Sequence, residues 1–270
     1  MSNLTAVIIG ATGGIGQAIA NTLAKKGINL VLAGRNEDML KEMQANLAKD
    51  YPSIKLNYLC CDLSKPESRQ HFIQALTVLN MPINYYINNA GINDFALFSD
   101  QQDGMIEKMM MINVVYPLEL IQNVIPLMSA VSPSQIINIG STFGSIGYPG
   151  YVSYCASKFA LRGATEALAR EYCKTAVKFR YFSPRATNTA MNSPAVIQMN
   201  QQLGVKMDSP ELVADELYHF LQSDQQSYQV GYPEKIFVKV NQLLPHIVSG
   251  SIEKNIYTIQ NYAKLCNEKL

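Results

Sequence analysis

The sequence predicts an α/β fold in three layers, αβα, built on a doubly wound parallel sheet of about seven strands. Three observations carry that expectation. Short apolar runs alternate with longer helical patterns up to about residue 225. The first apolar run ends in a glycine-rich turn that opens a helix. Most runs are nearly continuous in apolar character, which is how strands buried on both faces read in a parallel sheet.

Taken in order, strands are expected at 5–10, 28–34, 54–60, 83–89, 134–140 and 177–183. Helices are expected near 15–26, 37–50, 66–79, 101–128, 152–174 and 209–222. Repeated βα units with right-handed crossovers give a sheet covered on both faces. A short seventh strand is expected at 228–231. No linker or low-complexity stretch divides the chain, so residues 1–270 are expected to form a single domain. Within it, 186–207 reads as a lid and 232–270 as a helical C-terminal extension. The extension is apolar with a few basic residues. It fits helices packed on the sheet or on a partner chain, and it also fits a peripheral contact with a membrane surface.

Bulk properties narrow the function classes. Of 270 residues, 48% are hydrophobic, enough for a sizeable core. A formal net charge of +1 with dispersed basic residues gives no footprint for nucleic acid. The five cysteines lie at 60, 61, 155, 173 and 266, without Cys/His ligand spacing. Neither a disulfide framework nor a metal site is expected. No basic stretch precedes a long apolar run at the N-terminus, and no uninterrupted apolar run reaches spanning length. A soluble, cytoplasmic protein without a signal peptide or spanning helix is therefore expected.

The turn after the first strand reads "VIIGATGGIGQAIA". Gly10 permits the tight turn, Gly14 a close backbone approach to a pyrophosphate, and Gly16 close packing of the helix on the sheet. Thr12 and Ile15 belong to the same loop. Free N–H groups and the positive end of the helix dipole then face the phosphates, as in a Rossmann fold. The second strand ends at Gly34, followed by Arg35. An acid there would hold a ribose diol, and glycine removes it. Arginine supplies a fork for a 2′-phosphate, so NADP(H) is favoured over NAD(H).

"YVSYCASKFA" places Tyr154 and Lys158 four apart on a helix start, with Tyr151 three residues earlier. With the glycine loop, "NNAG" at 88–91 and this Y-x3-K in order, the chain resembles the short-chain dehydrogenase/reductase family from about residue 4 to 190. The resemblance implies a carbonyl/alcohol oxidoreductase using a nicotinamide cofactor. It implies that Asp62 meets the adenine amino group, with Leu63 beside it, and that Asn89, Ala90 and Gly91 line the cofactor. Asn113, Ser141, Tyr154 and Lys158 resemble the catalytic residues. Ser141 precedes Tyr154 by thirteen residues, the family's spacing, which selects Tyr154 over Tyr151. Tyr151 is then a wall residue of the cleft.

The chemistry suits these types. A free phenol with a pKa near about 10 is a reluctant base, and an adjacent ammonium would lower it. Lys158 would also hold the nicotinamide ribose, Ser141 would stabilise charge on the substrate oxygen, and Asn113 would hold a water linking Lys158 to solvent. After the sixth strand the family has Pro-Gly and then a threonine. Here Pro184 and Thr189 fit, Thr187 is a second polar candidate, and Arg185 replaces the glycine. Arg185 either ties down the loop or meets an anionic group of substrate or cofactor. Phe95, Phe98 and Met191 are candidate substrate contacts, and Met199 and Met207 are candidate pocket lining.

The substrate expected is a small carbonyl or alcohol compound, acyl or lipid-like, with a 3-oxoacyl thioester as one example. The alternatives are a non-catalytic NAD(P)-binding regulatory protein and a membrane-surface lipid or steroid reductase. A homodimer or homotetramer is frequent in the family. The chain lacks the C-terminal Gly-Gly turn that builds the tetramer.

Overall fold

The computed structural model describes residues 4–128 and 134–267. The outer bounds 1 and 270 of the expected domain, and the end of the extension, lie outside them. One parallel sheet runs in the order β3-β2-β1-β4-β5-β6-β7. Its strands are β1 (Thr5–Ile9), β2 (Asn29–Gly34), β3 (Leu56–Cys60), β4 (Tyr85–Asn88), β5 (Ser134–Ile139), β6 (Val177–Ser183) and β7 (Ser227–Gln229). The seventh strand begins one residue before the expected 228–231 and pairs parallel to β6 at Ser183↔Gln229.

Helices α1 (Gly14–Lys25), α2 (Glu37–Asp50), α3 (Pro66–Val78), α4 (Met105–Met110), α5 (Tyr116–Val124) and α6 (Val152–Glu171) connect the strands. α7 (Pro194–Gln202) and α8 (Pro210–Leu221) lie between β6 and β7. Successive strand residues bury to opposite faces. Ala6 and Ile8 join one core with α1 and α8, while Val7 and Ile9 join the other with α3 and α5. All five residues of β1 are buried, which is why its sequence shows no alternation.

The helix expected over 101–128 is broken by a π-helical turn at Met111–Val115. By length and composition Met105–Leu127 is apolar enough to cross a membrane. Here Met109, Val114, Leu120, Ile121 and Val124 of this stretch are buried in the fold. Asn113 and the charges Glu107, Lys108 and Glu119 interrupt the run, which is why no uninterrupted apolar stretch of spanning length is visible in it.

The extension forms α9 (Glu234–Leu243), α10 (Pro245–Glu253) and α11 (Ile256–Asn267). Val238 and Val248 bury against Ile146, and Asn241 Nδ2 donates to Ser145 O at 2.9 Å. Ile259 and Ala263 of α11, both 0% exposed, pack on Val196 and Met199 of α7.

Candidate active site

Strand order reverses between β1 and β4, and a crevice opens there at the carboxyl ends of the strands. A cavity of about 1200 Å³ occupies it. On one side lies the glycine loop. Gly10 adopts φ +75°, and a Cβ there would stand 2.9 Å from the Ala90 backbone. A side chain would be strained and would push β4 away. A Cβ on Gly16 would strike Gly10 O. Asn89 holds the two strands together by donating from Nδ2 to Gly10 O at 3.0 Å. α1 is preceded by Gly13 at its N-cap, which has no side chain to cap it, so N–H groups of its first turn keep their capacity.

Gly14 serves a purpose the sequence did not suggest. A Cβ there would stand 2.9 Å from Thr189 Cγ2, so its absence lets the lid loop close onto the α1 N-terminus. Arg35 is exposed at the end of β2 and lines the cavity with Asp62 and Leu63. A Cβ on Gly34 would meet Thr12 Oγ1 at 3.4 Å, which leaves the β2 end clear of carboxylate. Ser64 donates to Asp62 Oδ1 from its hydroxyl at 2.7 Å and from its N–H at 3.0 Å. The Ser64 hydroxyl bond leads in holding Asp62 below the usual carboxylate range, and nearby Lys65 and Arg35 act in the same direction.

At the far side of the cavity Ser141, Tyr154 and Lys158 come together. Ser141 lies two residues past β5, and its Oγ accepts from Phe143 N at 3.1 Å. Lys158 is buried, donates from Nζ to Ile139 O at 3.0 Å, and lies 5.7 Å from the Tyr154 ring centroid. Burial pushes the Tyr154 phenol up to about 12, against a hydrogen bond to Ser141 that pulls it down. Burial likewise brings Lys158 down to about 8. The sequence argument expected the ammonium to lower the phenol. Burial instead leads for both groups, and what pulls the phenol down is the Ser141 hydrogen bond rather than the ammonium.

Tyr151 is set apart from Tyr154. Its ring packs against Phe95 at a centroid distance of 4.8 Å. Burial drives its phenol up further than that of Tyr154, and Ser141 bonds to Tyr154. Tyr151 lines the cleft, as expected of a wall residue, whereas Phe95 sits behind it.

Asn113 is buried and firmly held. Its Oδ1 accepts from Ile92 N, and its Nδ2 donates to Ile92 O, each at 2.8 Å. Nδ2 also donates to Ser157 Oγ at 3.0 Å. These bonds fix the carboxamide against the segment after Gly91. A Cβ on Gly91 would meet both Asn113 Oδ1 and Lys158 Nζ, at 3.2 and 3.7 Å, so the three converge.

Arg185 ties down the loop. Its Nε and Nη2 bind the two oxygens of Asp208, each at 2.7 Å, and its Nη1 binds Glu234 at 2.9 Å and Tyr232 O at 2.8 Å. With its side chain 7% exposed, no fork remains for an anionic substrate. The reading of Arg185 as an anion contact is therefore set aside. Thr187 is buried, donates to Arg185 O at 2.9 Å, and lines the cavity with Pro184, Thr189 and Met191. Phe98 is 61% exposed and does not line the cleft.

Sequence reasoning missed Phe143, Tyr148, Val196 and Glu234 in the lining. The aromatic spacing in "TFGSIGYPGYVSY" could have signalled the first two. Glu234 has no local signal. Among the described residues no group of His, Cys, Asp or Glu comes together that could hold a metal ion.

The short chain dehydrogenase family model matches residues 4–200. The 3-oxoacyl-[acyl-carrier-protein] reductase FabG of Rickettsia felis is 31% identical over 236 residues, 86% of this chain and 94% of that relative. A short chain dehydrogenase from Shigella flexneri, solved with NADP, is 27% identical with a TM-score of 0.75, covering 83% of this chain and 92% of its own. A short-chain dehydrogenase from Streptomyces avermitilis shares the fold at a TM-score of 0.77 and 20% identity. That match covers 97% of this chain and 98% of its own.

Proposed function

The chain belongs to the short-chain dehydrogenase family and is an oxidoreductase, and from that premise we propose that it interconverts a carbonyl and an alcohol with NADPH preferred over NADH. The observation that carries this reading is the meeting of Ser141, Tyr154 and Lys158 in the cleft that also holds the glycine loop. The cleft fits a dinucleotide, because a backbone cradle that any Cβ at Gly10 would fill lies beside an uncapped helix N-terminus. Gly10, Thr12, Gly14, Ile15 and Gly16 would hold the pyrophosphate. Arg35 would take the 2′-phosphate, and Asp62 and Leu63 the adenine. Asn89, Ala90, Gly91, Pro184, Thr187 and Thr189 would line the nicotinamide end. When bound, the nicotinamide supplies the hydride that reaches the carbonyl carbon.

Tyr154 supplies the proton. With its phenol near 12 it stays protonated at neutral pH and is poised as an acid, which suits reduction. Its O–H bond breaks as the proton passes to the substrate oxygen. Ser141 donates to that oxygen and steadies the charge developing there. Lys158, charged at pH 7 with a pKa near 8, offsets the phenolate left behind. In the oxidising direction Tyr154 must first lose its proton, so that rate rises with pH.

A 3-oxoacyl thioester is the reference substrate, supported by the name of the Rickettsia relative and by the methionines Met191 and Met199 in the lining. The test is a carbonyl panel containing such a thioester, with NADPH and NADH side by side. Tyr154→Phe is expected to lose at least about 100-fold in kcat while NADPH binding survives. A near-normal rate in that variant removes Tyr154 as the acid. Absence of turnover across the panel favours the non-catalytic reading.

A reductase working at a membrane surface is a second reading, favoured by one observation. Ile236, Leu243, Leu244 and Ile247 of the α9–α10 segment are exposed, close in the chain to Glu234 at the cleft.

A further inference from the structure

Away from the glycine loop, the cleft is walled by rings. Phe143, Tyr148, Tyr151 and Tyr154 all line it. Phe143 is the centre of this group. Tyr148 stacks on it with centroids 5.0 Å apart and planes 21° apart. Tyr151 lies 5.0 Å from it, and Tyr154 meets it edge-on at 6.4 Å and 85°. Phe95 backs Tyr151 from behind.

These rings are fixed relative to the reacting oxygen. Phe143 follows Ser141 by two residues, and its N–H donates to the Ser141 hydroxyl. Tyr148 N donates to Cys155 Sγ at 3.4 Å, one residue past Tyr154. A ring resting on Phe143 and Tyr148 would therefore sit close to a carbonyl held by Ser141 and Tyr154.

The part of the wall formed by α7 is backed. Val196 and Met199 of α7 line the cleft, and α11 buries against them. Tyr262 O–H donates to Gln202 Oε1 at 3.0 Å, and Ser193 Oγ lies 3.4 Å from Cys266 Sγ, so α11 grips both ends of α7. Free charge is sparse on this side of the cleft, with Glu107 and Lys108 of α4 lining it elsewhere. Among the described residues of the lid, the aromatic wall and α9 that line the cleft, Lys158 aside, the formal charges are Arg185 and Glu234. Arg185 is held by Glu234 at 2.9 Å and by both oxygens of buried Asp208, so one cation faces two carboxylates and none is left for a ligand. A carboxylate or phosphate on this part of a substrate would be desolvated without a partner.

We infer that the substrate is an uncharged ketone or aldehyde carrying a flat conjugated ring within one or two bonds of the carbonyl, seated on the Phe143–Tyr148 face. The inference rests on the carbonyl-reductase reading of this cleft. A linear chain of equal carbon count buries similar apolar area but lacks the ring–ring attraction that aromatic pairs add beyond burial.

The experiment keeps the reacting unit constant. Ethyl 3-oxo-4-phenylbutanoate and ethyl 3-oxodecanoate have the same number of acyl carbons and the same 3-oxo ester. The full chain is assayed with each, and with the phenyl ester bearing a para-carboxylate. The wild type is expected to favour the phenyl ester over the linear one by about threefold to tenfold in kcat/KM, and to turn over the carboxylate least. Tyr148→Leu should bring the phenyl-to-linear ratio close to one, and Tyr148→Phe, which keeps the ring, should retain it. Turnover with the linear or carboxylate ester equal or preferred overturns the ring inference and leaves the reductase reading standing. So does a ratio unchanged in Tyr148→Leu. No turnover of any ester with either cofactor overturns the reductase reading, and this inference with it.

Discussion

Lys158 gives the sharpest physical test of the site. The fold buries it to 5% exposure, and burial brings its pKa from 10.5 to about 8. A base whose folded pKa is depressed loses stability as pH falls through that value and regains it toward the unfolded value. At pH 7 both folded and unfolded chains carry the charge, and the fold bears the cost of burying it. At pH 10 the folded lysine is mostly neutral while the unfolded one is mostly charged. Linkage over that window gives about 2.5 kcal/mol of stability gained by the wild type on going from pH 7 to pH 10. Lys158→Met has no such contribution. Tyr154, raised toward 12, weakens the fold above pH 10 in both proteins and drops out of the difference. Urea unfolding of both at pH 7, 8, 9 and 10 measures it. The wild-type-minus-variant difference should rise by about 2.5 kcal/mol across the series, most steeply above pH 8. A difference constant to within about 0.5 kcal/mol would falsify the claim that burial sets the charge of Lys158.

Arg185→Ala removes the cation from Asp208, whose side chain is 1% exposed. Leaving that carboxylate buried and unpaired should cost about 3–5 kcal/mol and lower Tm by roughly 10 °C in calorimetry. A shift below about 2 °C would remove the cluster as a structural tie. Arg35→Ala should weaken NADPH binding about tenfold in fluorescence titration and leave NADH binding unchanged, and equal losses for both cofactors would remove Arg35 as the phosphate contact. For the membrane reading, co-sedimentation with anionic lipid vesicles should fall in Leu243→Asp/Ile247→Asp. Point substitutions keep α11 packed on α7, which removal of the extension would undo. Equal sedimentation of the double variant and wild type, or none by either, argues against a membrane surface.

The cofactor side of the site was legible because its demands are local. A turn at φ +75° already selects glycine at position 10, and the Ala90 backbone, 2.9 Å from where a Cβ would stand, adds a second reason from eighty residues away. Tyr154 and Lys158 are one helical turn apart, so their spacing is visible in ten residues. Their protonation was not legible. Charge logic along the sequence counts neighbours, while the phenol and the ammonium respond first to loss of water, which depends on the whole fold.

The substrate side was hidden for a different reason: it is assembled across long chain separations. Val196 and Met199 owe their fixed position to Ile259 and Ala263, some sixty residues on. Arg185 is the clearest case. The sequence marks it as a departure at a position where the family has glycine, but its purpose lies 23 residues away in Asp208 and 49 away in Glu234. The two departures from the family, an arginine after β6 and an extension after β7, are one structural feature. Glu234 opens the extension beside the cleft, and Asp208 closes the lid under it. A glycine at 185 would leave both carboxylates without their cation. The extension and the arginine therefore belong together, and they turn a lid segment into a backed wall whose cation is fully engaged by two carboxylates.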